Sequence, residues 1–155
     1  MFLEKETFKT VIASTPLISI DLVIRNSQGQ YLLGYRNNKP AQGYWFVPGG
    51  RILKDERKDD AFTRLVLNEL GVHLSIENAK FHGVYEHFYD DCVFSDDKVF
   101  CDEVSTHYIV LAYEVVLDIA LDDLPDAQHS QYKWVDADEM LAASDVHVHS
   151  KWYVS

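Results

Sequence analysis

The chain has 155 residues, 47% of them hydrophobic and 13% aromatic, and a formal net charge of −11. That length fits one domain spanning residues 1–155 with a real core, and no apolar run approaches the roughly 20 residues that a membrane helix needs. The acidic balance argues against broad nucleic-acid binding, which rests on phosphate neutralisation by Lys and Arg.

The opening Met1-Phe2-Leu3-Glu4-Lys5-Glu6 alternates charge too early for a secretory signal. Cys92 and Cys101 make neither a metal pattern nor a disulfide framework, so the expected location is the cytoplasm. Lys5 to Ser14 reads as a short helix closed by Thr15-Pro16. Leu17 to Arg25 alternates weakly and reads as a strand; Asn26-Ser27-Gln28-Gly29 is a turn signal, and Gln30 to Tyr35 returns as its hairpin partner. Asp21 sits mid-strand among apolar residues, where an unpaired carboxylate is costly; it serves either a site or a structural ion pair. Trp45-Phe46-Val47 is a short strand that delivers Pro48-Gly49-Gly50 to a helix. That helix runs through Leu70, with Asp55 as the expected N-cap (Glu56 and Asp59 also able to serve the first turn) and Gly71 just past its end. Phe81 to Tyr89 and His107 to Leu117 read as two longer strands flanking an acidic segment, Asp90 to Ser105. Tyr132 to Val135 is a last strand, and Asp136-Ala137-Asp138-Glu139 has capping-box spacing. Mixed strands with two or three helices predict an α/β sandwich.

The order Gly50, Glu56, Arg64, Leu65, Asn68, Glu69, Gly71 resembles the Nudix box, over residues 50–72. The usual box has Glu after the Arg and a Glu-Glu pair three residues further on. Here Leu65 and Asn68 stand at two of those carboxylate positions. Residues 65, 68 and 69 share one helix face, so a face that elsewhere clusters carboxylates around hard cations keeps only Glu69. The stretches Arg36 to Arg51, His87-Phe88-Tyr89-Asp90-Asp91, Thr106-His107-Tyr108 and Leu124-Pro125-Asp126 leading to Gln128-His129 are similar to the GDP-mannose mannosyl hydrolase branch of the Nudix hydrolases, which shares the depleted box. The acidic Cys92 to Asp102 segment is longer than in that branch.

The resemblance implies the Nudix α/β/α sandwich with a mixed β-sheet, and Mg²⁺-dependent release of GDP and free sugar from GDP-mannose or GDP-glucose. It implies one Mg²⁺ (with Mn²⁺ as a substitute) held by Gly49, Glu69 and Gln128, His129 as general base, and Arg36, Arg51 and Tyr108 on the diphosphate and leaving group. It also implies a homodimer. A base with the ordinary histidine pKa of about 6.5 suits proton removal near neutrality. Arg64 either buttresses the loop or reaches the phosphates. Phe2, Leu3 and Phe8 contact the substrate near the purine or merely pack the first helix. His87 and His107 flank site segments and either take part or orient neighbours, whereas His73, His82, His147 and His149 are expected to be structural or solvent-facing. Two rivals remain: a conventional Nudix enzyme cleaving the pyrophosphate to a nucleoside monophosphate and a sugar phosphate, and a silent nucleotide-sugar sensor.

Overall fold

A computed structural model describes residues 2–37, 42–90, 97, 99–100, 104–125 and 129–155, excepting the side chains at 129 and 130. In chain order it runs α1 (Lys5–Ser14), β1 (Leu17–Arg25), β2 (Tyr31–Arg36), β3 (Trp45–Phe46), β4 (Gly49–Arg51), α2 (Lys58–Leu70), β5 (Lys80–Tyr89), β6 (Thr106–Val116), β7 (His129–Val135), α3 (Ala137–Ala142) and α4 (Val148–Lys151).

Among the described residues seven strands make one mixed sheet. β1 pairs in parallel with β6 along its whole length, from Leu17 opposite Tyr108 to Arg25 opposite Val116. On its other side β1 splays, meeting β4 at Ser19–Asp21 and β2 only at Arg25–Tyr31. The weak alternation expected of β1 has a physical cause: both of its faces are covered, so residues of both parities are apolar. Ile20, Leu22 and Ile24 pack under Phe62, Leu65, Val66 and Leu70 of α2. Val23 faces the opposite layer, with Val47, Met140, Val146 and Tyr153. Helical layers on both sheet faces give the expected α/β/α sandwich.

α1 and β1 begin and end where the sequence places them. β4 was not legible as a strand, since Gly-Gly-Arg has no strand propensity and is held by backbone pairing to β1. The N-cap of α2 is corrected: the helix starts at Lys58 behind Arg57, and Asp55 takes the left-handed conformation at φ 65° in the preceding turn. Glu56 is committed elsewhere, to Arg64 and Leu53. Gly71 closes α2 with φ 72° and its N–H on the Leu67 carbonyl, as a C-terminal glycine should. The 136–139 spacing does precede a helix, α3, but Asp136 makes no side-chain capping bond.

Candidate active site

Two cavities share a wall formed by Arg36, Gly49, Gly50, Arg51 and Tyr108. The inner one extends to Ser19, Asp21, His87 and Tyr89. The outer one extends to Phe2, Leu3 and Phe8 on one side, and to Arg64, Asn68 and Glu69 on the other. Every candidate site residue singled out above therefore borders this paired cleft, with three exceptions. His107 lies away from it, stacked on Phe88 at 4.3 Å beside the end of α1. Gln128 lies outside the described residues, and so does the side chain of His129. The backbone of His129 is described: its Cα sits opposite Arg36 where β7 pairs with β2, beside a register shift at Gly34/Arg36. Tyr132 Oη of β7 donates to the Pro125 carbonyl at 2.7 Å, and Pro125 lies against Gly71 at the end of α2. Most of the acidic Cys92 to Asp102 segment, both cysteines included, is likewise outside the described residues, as are residues 38–41.

Arg64 is held as a buttress. Its Nε donates to Glu56 Oε2 at 2.7 Å, and its Nη2 donates to Glu56 Oε1 at 2.9 Å and to the Arg51 carbonyl at 2.8 Å. Glu56 Oε1 also accepts from the Leu53 N–H at 3.0 Å, and the paired guanidinium keeps the Glu56 carboxyl below its ordinary pKa. This ties the 51–56 loop to α2 and fixes the wall that both cavities share. Arg51 also lies over the Phe8 ring, 4.8 Å from its centroid, which joins α1 to the site.

The two replaced carboxylate positions differ. Leu65 is buried in the α2 core cluster, and a Cβ added to Gly50 would collide with Leu65 Cδ2; hydrocarbon fills the place against the glycine. Asn68 is exposed at the outer cavity. Glu69, only 2% exposed, is the carboxylate left on that face. Gly49 is needed for packing, because a Cβ there would lie 2.5 Å from the Ile20 carbonyl oxygen and 2.6 Å from Asp21 Oδ1. Glu69 and the Gly49 backbone offer only oxygen, the donor type that hard divalent cations take, and both border the outer cavity. Among the described residues no three His, Cys, Asp or Glu side chains gather as a metal-binding group.

Asp21 is hydrogen-bonded rather than ion-paired in a simple couple: Tyr153 Oη donates to its Oδ2 at 2.6 Å. Burial raises its carboxyl to about 7, with the Tyr153 bond and the Arg36 charge opposing that rise and the Glu69 charge adding to it. Burial also drives His87 down to about 3, helped by His149 and His147, so His87 is neutral at physiological pH. Tyr108 is raised by burial against the pull of Arg36 and Arg51 and stands as a neutral phenol.

The sequence reading missed the contribution of the 145–153 segment. Trp45 N–H donates to the Asp145 carbonyl at 2.8 Å, His147 N–H to the Trp45 carbonyl at 3.0 Å, and Val47 N–H to Ser150 Oγ at 3.1 Å. This stitching seats His149 against His87, their rings stacked at 4.2 Å and 14°, and brings Tyr153 under Asp21. His149 is thus buried behind His87 and backs its ring without lining either cavity. No periodicity marks these residues; the richness of 147–153 in histidine and aromatic residues was the one available signal.

The comparisons with known proteins bear on this geometry. The NUDIX domain family model matches residues 15–154. A low-salt glycan biosynthesis protein, Agl8, from Haloferax volcanii is 46% identical over 129 residues, covering 83% of this chain and 76% of that protein. A MutT protein from Methanosarcina mazei Go1 superposes with a TM-score of 0.69 at 20% identity, covering 91% of this chain and 92% of the other. The NUDIX domain of Shewanella oneidensis NrtR, complexed with ADP ribose, superposes with a TM-score of 0.62 at 18% identity, covering 90% and 86%; at such identities the likeness is one of fold.

Proposed function

The chain belongs to the Nudix hydrolase family, and from that premise we propose that it hydrolyses GDP-mannose, or GDP-glucose, at the sugar C1 to GDP and free sugar. The observation that carries this reading is the inner face of α2, where Leu65 is core hydrocarbon packed on Gly50 and Glu69 is the buried carboxylate that remains. Attack at a crowded anionic phosphorus demands dense charge neutralisation. Attack at C1 demands a stabilised leaving group and a base on the far face of the ring. The relative's name, a glycan biosynthesis protein, supports a nucleotide sugar as substrate.

In this reading Phe2, Leu3 and Phe8 receive the purine in the outer cavity, and the sugar lies in the inner one beside Asp21 and His87. A water oxygen bonds to C1 while the bond from C1 to the bridging phosphate oxygen breaks, its electron pair leaving with GDP. The water proton passes to His129, whose backbone lies opposite Arg36. Approach opposite the leaving group inverts the anomeric centre. Ordinary glycosidases use a second carboxyl group to protonate a poor leaving alkoxide. A diphosphate held by Arg36, Arg51 and the Tyr108 hydroxyl needs no such acid. Glu69 and the Gly49 carbonyl, with Gln128, would hold a single Mg²⁺ or Mn²⁺. Bound there, it supplies positive charge to the departing diphosphate. The assembly proposed is a homodimer, and Phe2, 83% exposed, gains cover from a bound base or from a second subunit.

Identifying the first products tests this. The reading expects GDP and the sugar anomer opposite to that in the substrate, seen by proton NMR before mutarotation. Nucleoside monophosphate with a sugar phosphate supports the pyrophosphohydrolase instead, and tight binding without turnover supports a sensor.

A further inference from the structure

We propose that Tyr153 is a positioning residue for the sugar end of the site: its hydroxyl links Asp21 to His87 and holds His87 in the tautomer protonated at Nε2. The inference rests on the reading above only in taking Asp21 and His87 as the groups that face the sugar.

The geometry is that of a three-member chain buried under the inner cavity. Tyr153 Oη lies 2.6 Å from Asp21 Oδ2 and 3.3 Å from His87 Nε2. A phenol has one proton, and with Asp21 ionised the shorter bond to its carboxylate uses it. The oxygen therefore meets His87 with a lone pair, so the proton between them belongs to Nε2. That leaves Nδ1 as the acceptor nitrogen of His87. The ring has no freedom to turn away, because His149 stacks on it at 4.2 Å and Trp152 stands edge-on at 5.7 Å.

Nothing local dictates this arrangement. Tyr153 is 132 residues from Asp21 and 66 from His87 along the chain. It is brought there by the stitching of 145–150 onto β3 and the residues after it. It is 4% exposed and packs edge-on against Tyr85 at 4.8 Å. A phenylalanine would satisfy all of that packing. The hydroxyl is what packing does not require, and it meets two polar groups of the inner cavity's wall, Asp21 and His87. Tyr153 itself does not line that cavity, so it acts through them.

The test joins a spectrum with kinetics. In protein labelled with ¹⁵N-histidine and held at alkaline pH, where Asp21 is ionised, long-range proton–nitrogen correlation should show His87 protonated at Nε2 without any ligand, the signal being assigned by its loss in His87→Asn. In Tyr153→Phe that tautomer preference should weaken. The turnover rate on GDP-mannose should fall by about ten-fold, while inhibition by GDP, which lacks the sugar, should stay within about two-fold. Placed on Asp21→Asn, the same change should have much less effect, the coupling expected of residues in one network. A wild-type His87 protonated at Nδ1 overturns the proposal. So does a Tyr153→Phe protein that keeps its turnover rate, or one that loses GDP affinity in parallel. If wild-type protein does not turn over GDP-mannose at all, the functional reading fails, and the tautomer alone decides the role of Tyr153.

Discussion

Glu69 and His129 divide the chemistry between them in the proposed mechanism, and each can be removed singly. With Glu69 as the buried carboxylate on its helix face, divalent-cation binding should be weak and single-site, and strengthened by the nucleotide. Glu69→Gln should lower activity sharply while the fold is retained; calorimetry finding two or more tightly held ions on the free protein contradicts this. His129→Gln should lose roughly 10²- to 10⁴-fold in kcat, the usual worth of a positioned base, with little change in substrate affinity. His149 cannot serve as a bystander control, because it stacks on His87. His73 is exposed beyond the end of α2, and His73→Gln should leave kcat unchanged. At this scale the sequence was most legible where residue type is dictated by chemistry. Arg36, Arg51, Tyr108 and Glu69 all border the cleft. It was least legible where a role depends on a distant partner: Arg64 resolved into a buttress only once Glu56 and the Arg51 carbonyl were seen around it.

The contact between β1 and β4 explains why the two glycines before α2 are not equivalent. A methyl group at residue 49 would meet backbone, the Ile20 carbonyl oxygen, together with the Asp21 carboxylate. At residue 50 it would meet only the end of the Leu65 side chain, which can shift at some packing cost. Gly49→Ala should therefore destabilise by about 1–3 kcal/mol, the range for overpacking a tight site. Gly50→Ala should cost less. Denaturant unfolding of both variants checks the order, and the reverse order contradicts this account of the β1–β4 wall. The elements themselves divide in the same way. α1, β1 and the end of α2 were legible because helix punctuation and strand runs are local signals. β4 and the seat of 145–153 exist through backbone pairing with remote segments, which no window of sequence contains.

Across the whole molecule, the buried titratable groups set opposing pH dependences. His87 and His149 have folded-state pKa values lowered to about 3 and about 4, against about 6.5 unfolded. As pH falls below about 6.5 the unfolded chain takes up protons that the folded one refuses, so stability is lost on the acid side. Asp21 has the opposite sign. Its folded value of about 7 exceeds the unfolded value of about 3.9, so its stabilising effect fades as pH rises from about 4 to about 7. From about 6.5 down to about 4 the two histidines outweigh the one carboxyl, and near 7 only Asp21 acts. Thermal melting of metal-free protein should show these groups favouring a maximum close to pH 6.5. Asp21→Asn should remove the decline toward pH 7, and a decline unchanged in that variant contradicts the assignment.

The claim on which the rest depends is the bond that water breaks, and isotope placement reads it directly. The protein should be allowed to turn over GDP-mannose in ¹⁸O-water with Mg²⁺ present, and both products should be weighed by mass spectrometry. The account predicts label in free mannose and none in GDP. Label in GMP or in mannose 1-phosphate, with no free sugar released, contradicts it and assigns the chain to attack at phosphorus.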